Sequence, residues 1–300
     1  MGLDLPLLSS SVATLHLSFS SPLSNCVAVY PDTEPAEVEG SHPCASGSSF
    51  SKTGKLSFFV LISFLLTQNL FSQTKQAESL QQVWLAYNNQ TRFSDKWGAW
   101  ADIHLRTKED FFSHLSSSII RFGLTHYLND DTKLTVGYAY ITHFPQDNHG
   151  NISRPEHRPW QQLQWHNKYS RLRLMQWFRL EERFRRKILN EDELAEGYNF
   201  NFRIRYNVFS MFPLSKNKFQ PKALSFVVND EVHINFGKEI VYNYFDQNRF
   251  FLGFAYHVNK HDNLQFGYLN VFQQLAAGNK YKSIHAARVF YFHNLDLRKK

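Results

Sequence analysis

The sequence has little cysteine and no hydrophobic run long enough for a membrane helix. Its two cysteines, Cys26 and Cys44, both lie in the first 72 residues. The rest of the chain therefore cannot form disulfides, use a thiolate nucleophile or bind a metal through sulfur. The one sustained apolar run, residues 56–66, has eleven residues, whereas a transmembrane helix needs about 20. A bundle of membrane helices is excluded.

The short apolar run is typical of a secretory signal peptide. Lys52 and Lys55 precede it, and the polar stretch that follows it contains the small residue Ser72. A basic start, an apolar centre of this length and a small residue at the end define such a signal. We predict a signal peptide over residues 52–72, cleaved after Ser72, and export to the outer membrane of a Gram-negative bacterium. No cysteine follows the run, so a lipoprotein anchor is not expected.

The signal lies behind a segment rich in Ser and Pro. Residues 1–51 show neither a strand nor a helix pattern, and signal peptides normally stand at the N-terminus. Two interpretations stay open, an over-extended gene start or a disordered leader. The predicted organisation is a leader over 1–51, a signal peptide over 52–72 and a β-barrel over 73–300.

Charge narrows the possible partners. The chain has a formal charge of +7, and without residues 1–72 it keeps 31 basic and 21 acidic side chains, a charge of +10. Such a surplus usually indicates nucleic acid or anionic lipid. Export excludes nucleic acid, which leaves outer-membrane lipid and an anionic small-molecule ligand as the expected partners. The sequence has no signal for an oligomeric state.

The fold class is predicted by a period of two that recurs from residue 81 onward. Over residues 172–185 every second side chain is mostly apolar, and the positions between carry Arg173, Arg179, Glu181, Arg183 and Arg185. Residues 198–208 repeat the arrangement with Arg203 and Arg205. Segments of about ten residues with such alternation are the signature of membrane β-strands, as is an aromatic content of 16%. We predict an all-β, antiparallel up-and-down transmembrane barrel.

The number of strands is predicted to lie between ten and twelve. Eleven segments have the pattern, but bacterial single-chain barrels have an even number of strands, which favours ten or twelve. Short and long links alternate between the segments, and the link over residues 210–221 is the exception. Asp230 interrupts an apolar parity, so the strand is expected either to bulge or to leave the membrane near it.

The lumen is expected to carry the charges, because Arg facing lipid at mid-depth costs about 2 to 4 kcal/mol. One interpretation is a salt-bridge network that fills a narrow barrel. The other is an anion-selective pore or a site for an anionic ligand. The predicted lumen-facing residues are Arg173, Arg179, Glu181, Arg183, Arg185, Arg203, Arg205, Glu231 and His233.

No catalytic, metal-binding or cofactor-binding residue is assigned. His104, His166 and His233 share the inferred lumen parity, but no HxH or HExxH spacing is present. The alternative function is an outer-membrane lipid-modifying enzyme of the phospholipase or lipid A hydrolase type, which would use Ser and His at the external rim. His114, Ser113 and residues 116–118 lie near a predicted external loop.

Three blocks of residues resemble a known family. They are Lys96-Trp97 leading to Leu105-Arg106, Arg158-Pro159-Trp160-Gln161-Gln162, and Arg179-Leu180-Glu181-Glu182-Arg183-Phe184. Together they are similar to the family catalogued as domain of unknown function twenty-four ninety. The resemblance implies an exported barrel of Bacteroidetes-type bacteria, spanning roughly residue 81 to the C-terminus. It implies no activity.

Overall fold

The computed structural model describes residues 76–109, 111–112, 114–146 and 149–298. The predicted leader and signal peptide lie outside the described residues. Within them the chain forms eleven strands: β1 (Gln76–Arg92), β2 (Trp97–Thr107), β3 (Leu115–Tyr127), β4 (Thr132–His143), β5 (Arg154–Lys168), β6 (Arg173–Ile188), β7 (Leu194–Pro213), β8 (Leu224–Phe236), β9 (Phe245–His257), β10 (Asp262–Gln274) and β11 (Lys280–Asp296). No helix of this part of the chain is long and apolar enough to cross a bilayer.

The eleven strands close into one barrel, in which each strand pairs with its neighbours in sequence. These pairs are antiparallel, and β1 and β11 complete the barrel by parallel pairing from Gln76↔Lys280 to Arg92↔Asp296. The prediction of an all-β barrel with ten to twelve strands is confirmed. The inference that the count must be even is wrong, and so is the expectation of purely antiparallel pairing. When an odd number of strands alternate in direction, the first and the last strand run in the same direction. Strands β1 and β11 therefore pair in parallel.

The period of two separates an apolar outer face from a polar inner face, as expected for strands. Neighbouring residues of β6 show the contrast, because Phe178 is 48% exposed and Arg179 is 3% exposed. Large apolar side chains cover the outside of most strands, among them Ile103, Ile120, Phe122, Leu124, Val136, Leu163, Phe178, Ile204, Phe250, Leu252, Phe254 and Phe266. Along these strands the alternation of apolar and polar residues in the sequence coincides with the alternation of exposed and buried side chains.

Asp230 does not produce the expected bulge. Strand β8 continues through it in register, with Asp230 opposite Val208 on one side and Phe250 on the other. Its carboxylate accepts a hydrogen bond from Asn248 Nδ2 at 2.8 Å, which satisfies it on the outer face. The irregularity of this strand falls later, between His233 and Ile234.

The two ends of the barrel differ in the length of their links. Residues 93–96, 128–131, 169–172 and 258–261 form four-residue turns at one end, where the longer link 214–223 also lies. At this end Arg92 Nη1 donates to Asp130 Oδ1 at 2.7 Å. That hydrogen bond and the guanidinium charge lower the pKa of the Asp130 carboxyl. The links at the opposite end have five to ten residues.

Inside the barrel, the wall of β3, β4 and β5 is packed around one tryptophan. Trp160 is fully buried against Ile119, Ala139 and Ile141. Its ring lies directly over the backbone of Gly137, where an added Cβ would meet ring atoms and the Phe122 carbonyl oxygen at 2.5 Å. Glycine is required here because the ring occupies the place of a side chain.

Replacing Gly137 by Ala is expected to destabilise the barrel. The new methyl group must displace Trp160 or the β3 backbone, and overpacking of this kind costs about 1 to 3 kcal/mol. Urea unfolding in detergent, followed by tryptophan fluorescence, measures the change. The control is Gly150→Ala in the link between β4 and β5, where the added carbon has its nearest neighbour at 3.8 Å. Equal midpoints for the two variants would contradict the packing argument.

Candidate functional site

The lumen contains a cavity of about 1110 Å³ that extends between the two ends of the barrel. Its lining includes Gln146 and Ala276 from the long-link end, and Gln220 and Lys260 from the opposite end. A barrel of eight strands is just wide enough for side chains to fill it, and barrels of sixteen or more hold an aqueous channel. Eleven strands give an intermediate lumen, which is partly filled and partly open.

The structure places the nine predicted lumen residues on the inner wall formed by β6, β7 and β8. Seven of them line the cavity, namely Arg173, Arg179, Arg183, Arg185, Arg203, Arg205 and Glu231. Glu181 and His233 lie behind the lining and are buried, at 1% and 0% exposure. Arg173 stands apart at the short-turn end, with its guanidinium 4.1 Å from the Phe219 ring centroid.

Glu181 is the centre of the ion-pair network on this wall. Its Oε2 accepts two hydrogen bonds from Arg203, at 2.9 and 2.5 Å, and its Oε1 accepts one from Arg205 at 2.6 Å. Arg158 and Arg179 approach the same carboxylate at 3.6 and 3.9 Å. One buried carboxylate thus compensates several guanidinium groups, which stabilises charges that would otherwise be costly to bury.

Three further carboxylates extend the network along the wall. Glu156 accepts hydrogen bonds from Arg158 at 2.6 Å and Arg183 at 2.8 Å. Asp246 accepts one from Arg203 at 2.8 Å, and Glu231 accepts one from Arg205 Nε at 2.6 Å. Most of the predicted lumen-facing arginines on β6 and β7 therefore donate hydrogen bonds to acceptors within the protein.

The opposite wall, formed by β9, β10, β11, β1 and β2, carries arginines with a different kind of partner. Trp84 lies in register with Arg106 on β2 and with Arg288 on β11. The Arg106 guanidinium lies 3.8 Å from the Trp84 ring centroid, and that of Arg249 lies 5.2 Å from it. Arg288 stacks on Phe251 and Phe290, at 4.2 and 4.1 Å. We call Trp84, Arg106, Arg249, Arg288, Phe251 and Phe290 the aromatic–arginine wall.

These three arginines are not among the predicted lumen-facing residues. Arg106 lies on the same parity of β2 as His104, and it alternates with apolar residues. Arg249 and Arg288 lie at positions between the apolar residues of β9 and β11, so the same alternation could have placed them in the lumen. Their proximity to Trp84 depends on register and barrel closure, which the pattern alone does not specify.

The histidines of the predicted lumen parity belong to separate clusters. His104 lies 3.2 Å from Asp102, which also binds Arg121 at 2.8 Å. His233 lies 2.8 Å from Glu231, and His166 is hydrogen-bonded to Gln164. Among the described residues, no group of three or more His, Cys, Asp or Glu side chains is arranged to hold a metal ion.

The residues of the alternative enzymatic interpretation are not joined by side-chain hydrogen bonds in the described part of the chain. The His114 carbonyl accepts from Lys108 N, and the Ser116 carbonyl accepts from Phe144 N and Gln146 Nε2. Ser113 lies outside the described residues. A different serine, Ser117, faces His143 across β3 and β4. His143 Nε2 in turn lies 2.9 Å from Glu156 Oε2.

The family model described as "Protein of unknown function (DUF2490)" matches residues 81–282. The chain belongs to this family, and the predicted resemblance is confirmed. Among curated proteins, none matches the sequence. Among solved structures, the barrel is similar to one titled "NanC porin structure in rhombohedral crystal form", at 16% identity and a TM-score of 0.40. That match covers 71% of this chain and 99% of the porin.

Removing the central carboxylate is expected to destabilise the barrel. Glu181→Ala leaves buried guanidinium groups without compensation, and breaking a buried ion pair costs about 3 to 5 kcal/mol. We expect the lower end of this range, because Arg203 and Arg205 keep Asp246 and Glu231. The free energy of unfolding in urea measures the loss.

The matched control is Glu191→Ala, which removes an exposed carboxylate from the link between β6 and β7. It is expected to leave the free energy of unfolding nearly unchanged, since exposed charges contribute little. A Glu181→Ala barrel as stable as the Glu191→Ala control would refute the central role of Glu181.

Proposed function

We propose that the chain is an outer-membrane barrel that acts as a narrow pore with a preference for small anions. The observation that carries the proposal is the composition of the lumen cavity. Its lining includes twelve arginines and three carboxylates, Glu231, Asp246 and Asp262. Rings and rows of fixed cationic side chains favour anions in a pore.

The outer face supports a location in the membrane. Large apolar side chains cover it at 37% to 61% exposure on most strands, far more apolar surface than a soluble monomer usually exposes. The closed barrel pairs the backbone of its strands without a free edge, which is what a lipid environment requires. Tyr87, Tyr140, Tyr198, Tyr256 and Tyr268 are among the exposed outer aromatics.

The cavity supports a pore over a fully plugged barrel. Ion pairs fill the side formed by β5 to β8, but lining residues come from both ends of the barrel. The ion-pair network therefore narrows the lumen and leaves a passage beside it. Excess guanidinium charge along this passage attracts anions and repels cations.

One observation favours the alternative, a lipid-modifying enzyme. Ser117 faces His143 across two strands, and His143 in turn contacts Glu156. These side chains point into the lumen, away from the lipid-facing surface, and Glu156 already accepts hydrogen bonds from two arginines. A lipid substrate would have to leave the bilayer to reach them. We therefore favour the pore.

Conductance measurements test the proposal. The purified barrel, inserted into a planar bilayer under a KCl gradient, is expected to give small, steady currents. The sign of the reversal potential is expected to show that the pore prefers chloride to potassium. Arg173→Glu is expected to shift the reversal potential toward that for potassium, because it reverses a charge in the cavity lining. Lys238→Glu makes the same change of charge on an exposed loop residue and is the control.

Three outcomes would contradict the proposal in different ways. A chain that stays soluble without detergent and shows no heat-modifiable migration on a gel would disprove the membrane location. An inserted barrel without current would disprove the pore. Turnover of phospholipid or lipid A that is abolished by Ser117→Ala would favour the enzyme.

A further inference from the structure

The aromatic–arginine wall differs from the rest of the lumen in how its guanidinium groups are satisfied. No carboxylate of the described residues lies within 4.0 Å of Arg106 or Arg288, and Arg249 has one at 3.8 Å, Glu231. Arg106 and Arg249 make no hydrogen bond to the described residues, and Arg288 makes one, to Gln265 Oε1 at 3.2 Å. On the opposite wall, Arg203 alone makes three.

Every arginine of this wall has an unsatisfied donor, whereas on the opposite wall only Arg179 Nη1 and Arg185 Nε among the described arginine donors are unsatisfied. The Nε atoms of Arg106, Arg249 and Arg288 are all buried without a hydrogen-bond partner. A buried donor without an acceptor is costly, and more so when it carries charge. Three such atoms, on strands β2, β11 and β9 of one side of the barrel, indicate that an acceptor from outside the chain completes the site.

The aromatic rings explain how the guanidinium groups are held without protein acceptors. Trp84 contacts Arg106 and Arg249, and Phe251 and Phe290 contact Arg288, through ring faces at 3.8 to 5.2 Å. Trp84 itself is fixed by a hydrogen bond from its indole N–H to Gln82 Oε1 at 2.8 Å. Stacking orients the plane of a guanidinium and leaves its N–H edge available for bidentate hydrogen bonds.

Charge on this wall is compensated less than on the opposite wall, because Glu231 is the one carboxylate of the described residues within 4.0 Å of its arginines. The charged neighbours that act most strongly on Arg106 are four other arginines, Arg249, Arg121, Arg158 and Arg205. All five line the cavity. A diffusible anion in the cavity would lower the mutual repulsion of these groups and accept their free N–H donors.

We propose that the aromatic–arginine wall is a binding site for the oxyanion group of a small solute, a phosphate, sulfate or carboxylate held by the edges of Arg106, Arg249 and Arg288. This inference rests on the proposed pore for its access route and adds the place where the anion binds. The arginines of β7 then have a different role, because Glu181, Glu231 and Asp246 already accept their hydrogen bonds.

Equilibrium binding to the detergent-folded barrel tests the site without any need for conduction. Inorganic phosphate, sulfate and acetate are titrated separately by calorimetry, with quenching of tryptophan fluorescence as a second signal from Trp84. At least one of these anions is expected to bind with saturation. Arg106→Gln with Arg249→Gln is expected to weaken that binding about tenfold or more, since hydrogen bonds between charged groups are lost.

Two further variants keep the test decisive. Arg106→Lys keeps the positive charge but removes the planar guanidinium that can donate two parallel hydrogen bonds. The affinity for the anion is therefore expected to fall, while heat-modifiable migration stays that of the folded barrel. Arg173→Gln removes one positive charge from the cavity lining, away from the wall, and is expected to leave the dissociation constant within about twofold, since a remote charge in a hydrated lumen is screened.

The outcomes separate this site from the proposed pore. Saturable binding that is lost in the Arg106/Arg249 double variant, in a barrel that carries no current, would keep the site and disprove the pore. A conducting barrel with no saturable binding of any of the three anions would overturn the site alone. Equal loss of binding in Arg173→Gln and the double variant would also overturn it, because the lumen would then attract anions only through its overall charge.

Discussion

Most charged side chains on these strands point toward the lumen, and Asp230 on the outer face has a hydrogen-bond donor beside it. The outer face is apolar along most of the barrel, and a strand offers each residue only two faces. Arginine and glutamate at alternate positions must therefore meet inside a closed space, where each buried charge needs a partner. Ion pairs on one wall and ring stacking on the other are two solutions to this constraint.

Because a strand offers each side chain only two faces, the sequence can predict the face of a residue but not its partner on the next strand. Alternation along residues 172–185 is enough to predict that Arg179 and Glu181 share one face of β6, because the period of two is a local property of the strand. It did not predict that Arg203 joins Glu181 to Asp246, since that depends on which residues face each other across strands. The even strand number was inferred from a rule about bacterial barrels, and the parallel pairing of β1 with β11 lies outside that rule.

Barrel closure also creates the aromatic–arginine wall. Arg106 and Arg288 are 182 positions apart in the numbering, yet both are in register with Trp84, because β1 is the seam strand between β2 and β11. Shifting either pairing by one residue would turn one of these side chains to the outer face. No local pattern in the sequence contains this relation, so the wall could be found only from the structure.

The distribution of carboxylates divides the lumen into two walls with different physical properties. On β5 to β8, Glu156, Glu181 and Glu231 hold arginines with short, charge-assisted hydrogen bonds, and the resulting network is fixed in geometry. On the aromatic–arginine wall, rings hold the guanidinium planes and leave their edges free. The first wall supplies its own acceptors, whereas the second leaves most guanidinium donors without a protein acceptor. Under the proposed function, an anion would therefore bind at the wall that has fewer protein acceptors, and the wall with more of them would set the width of the passage.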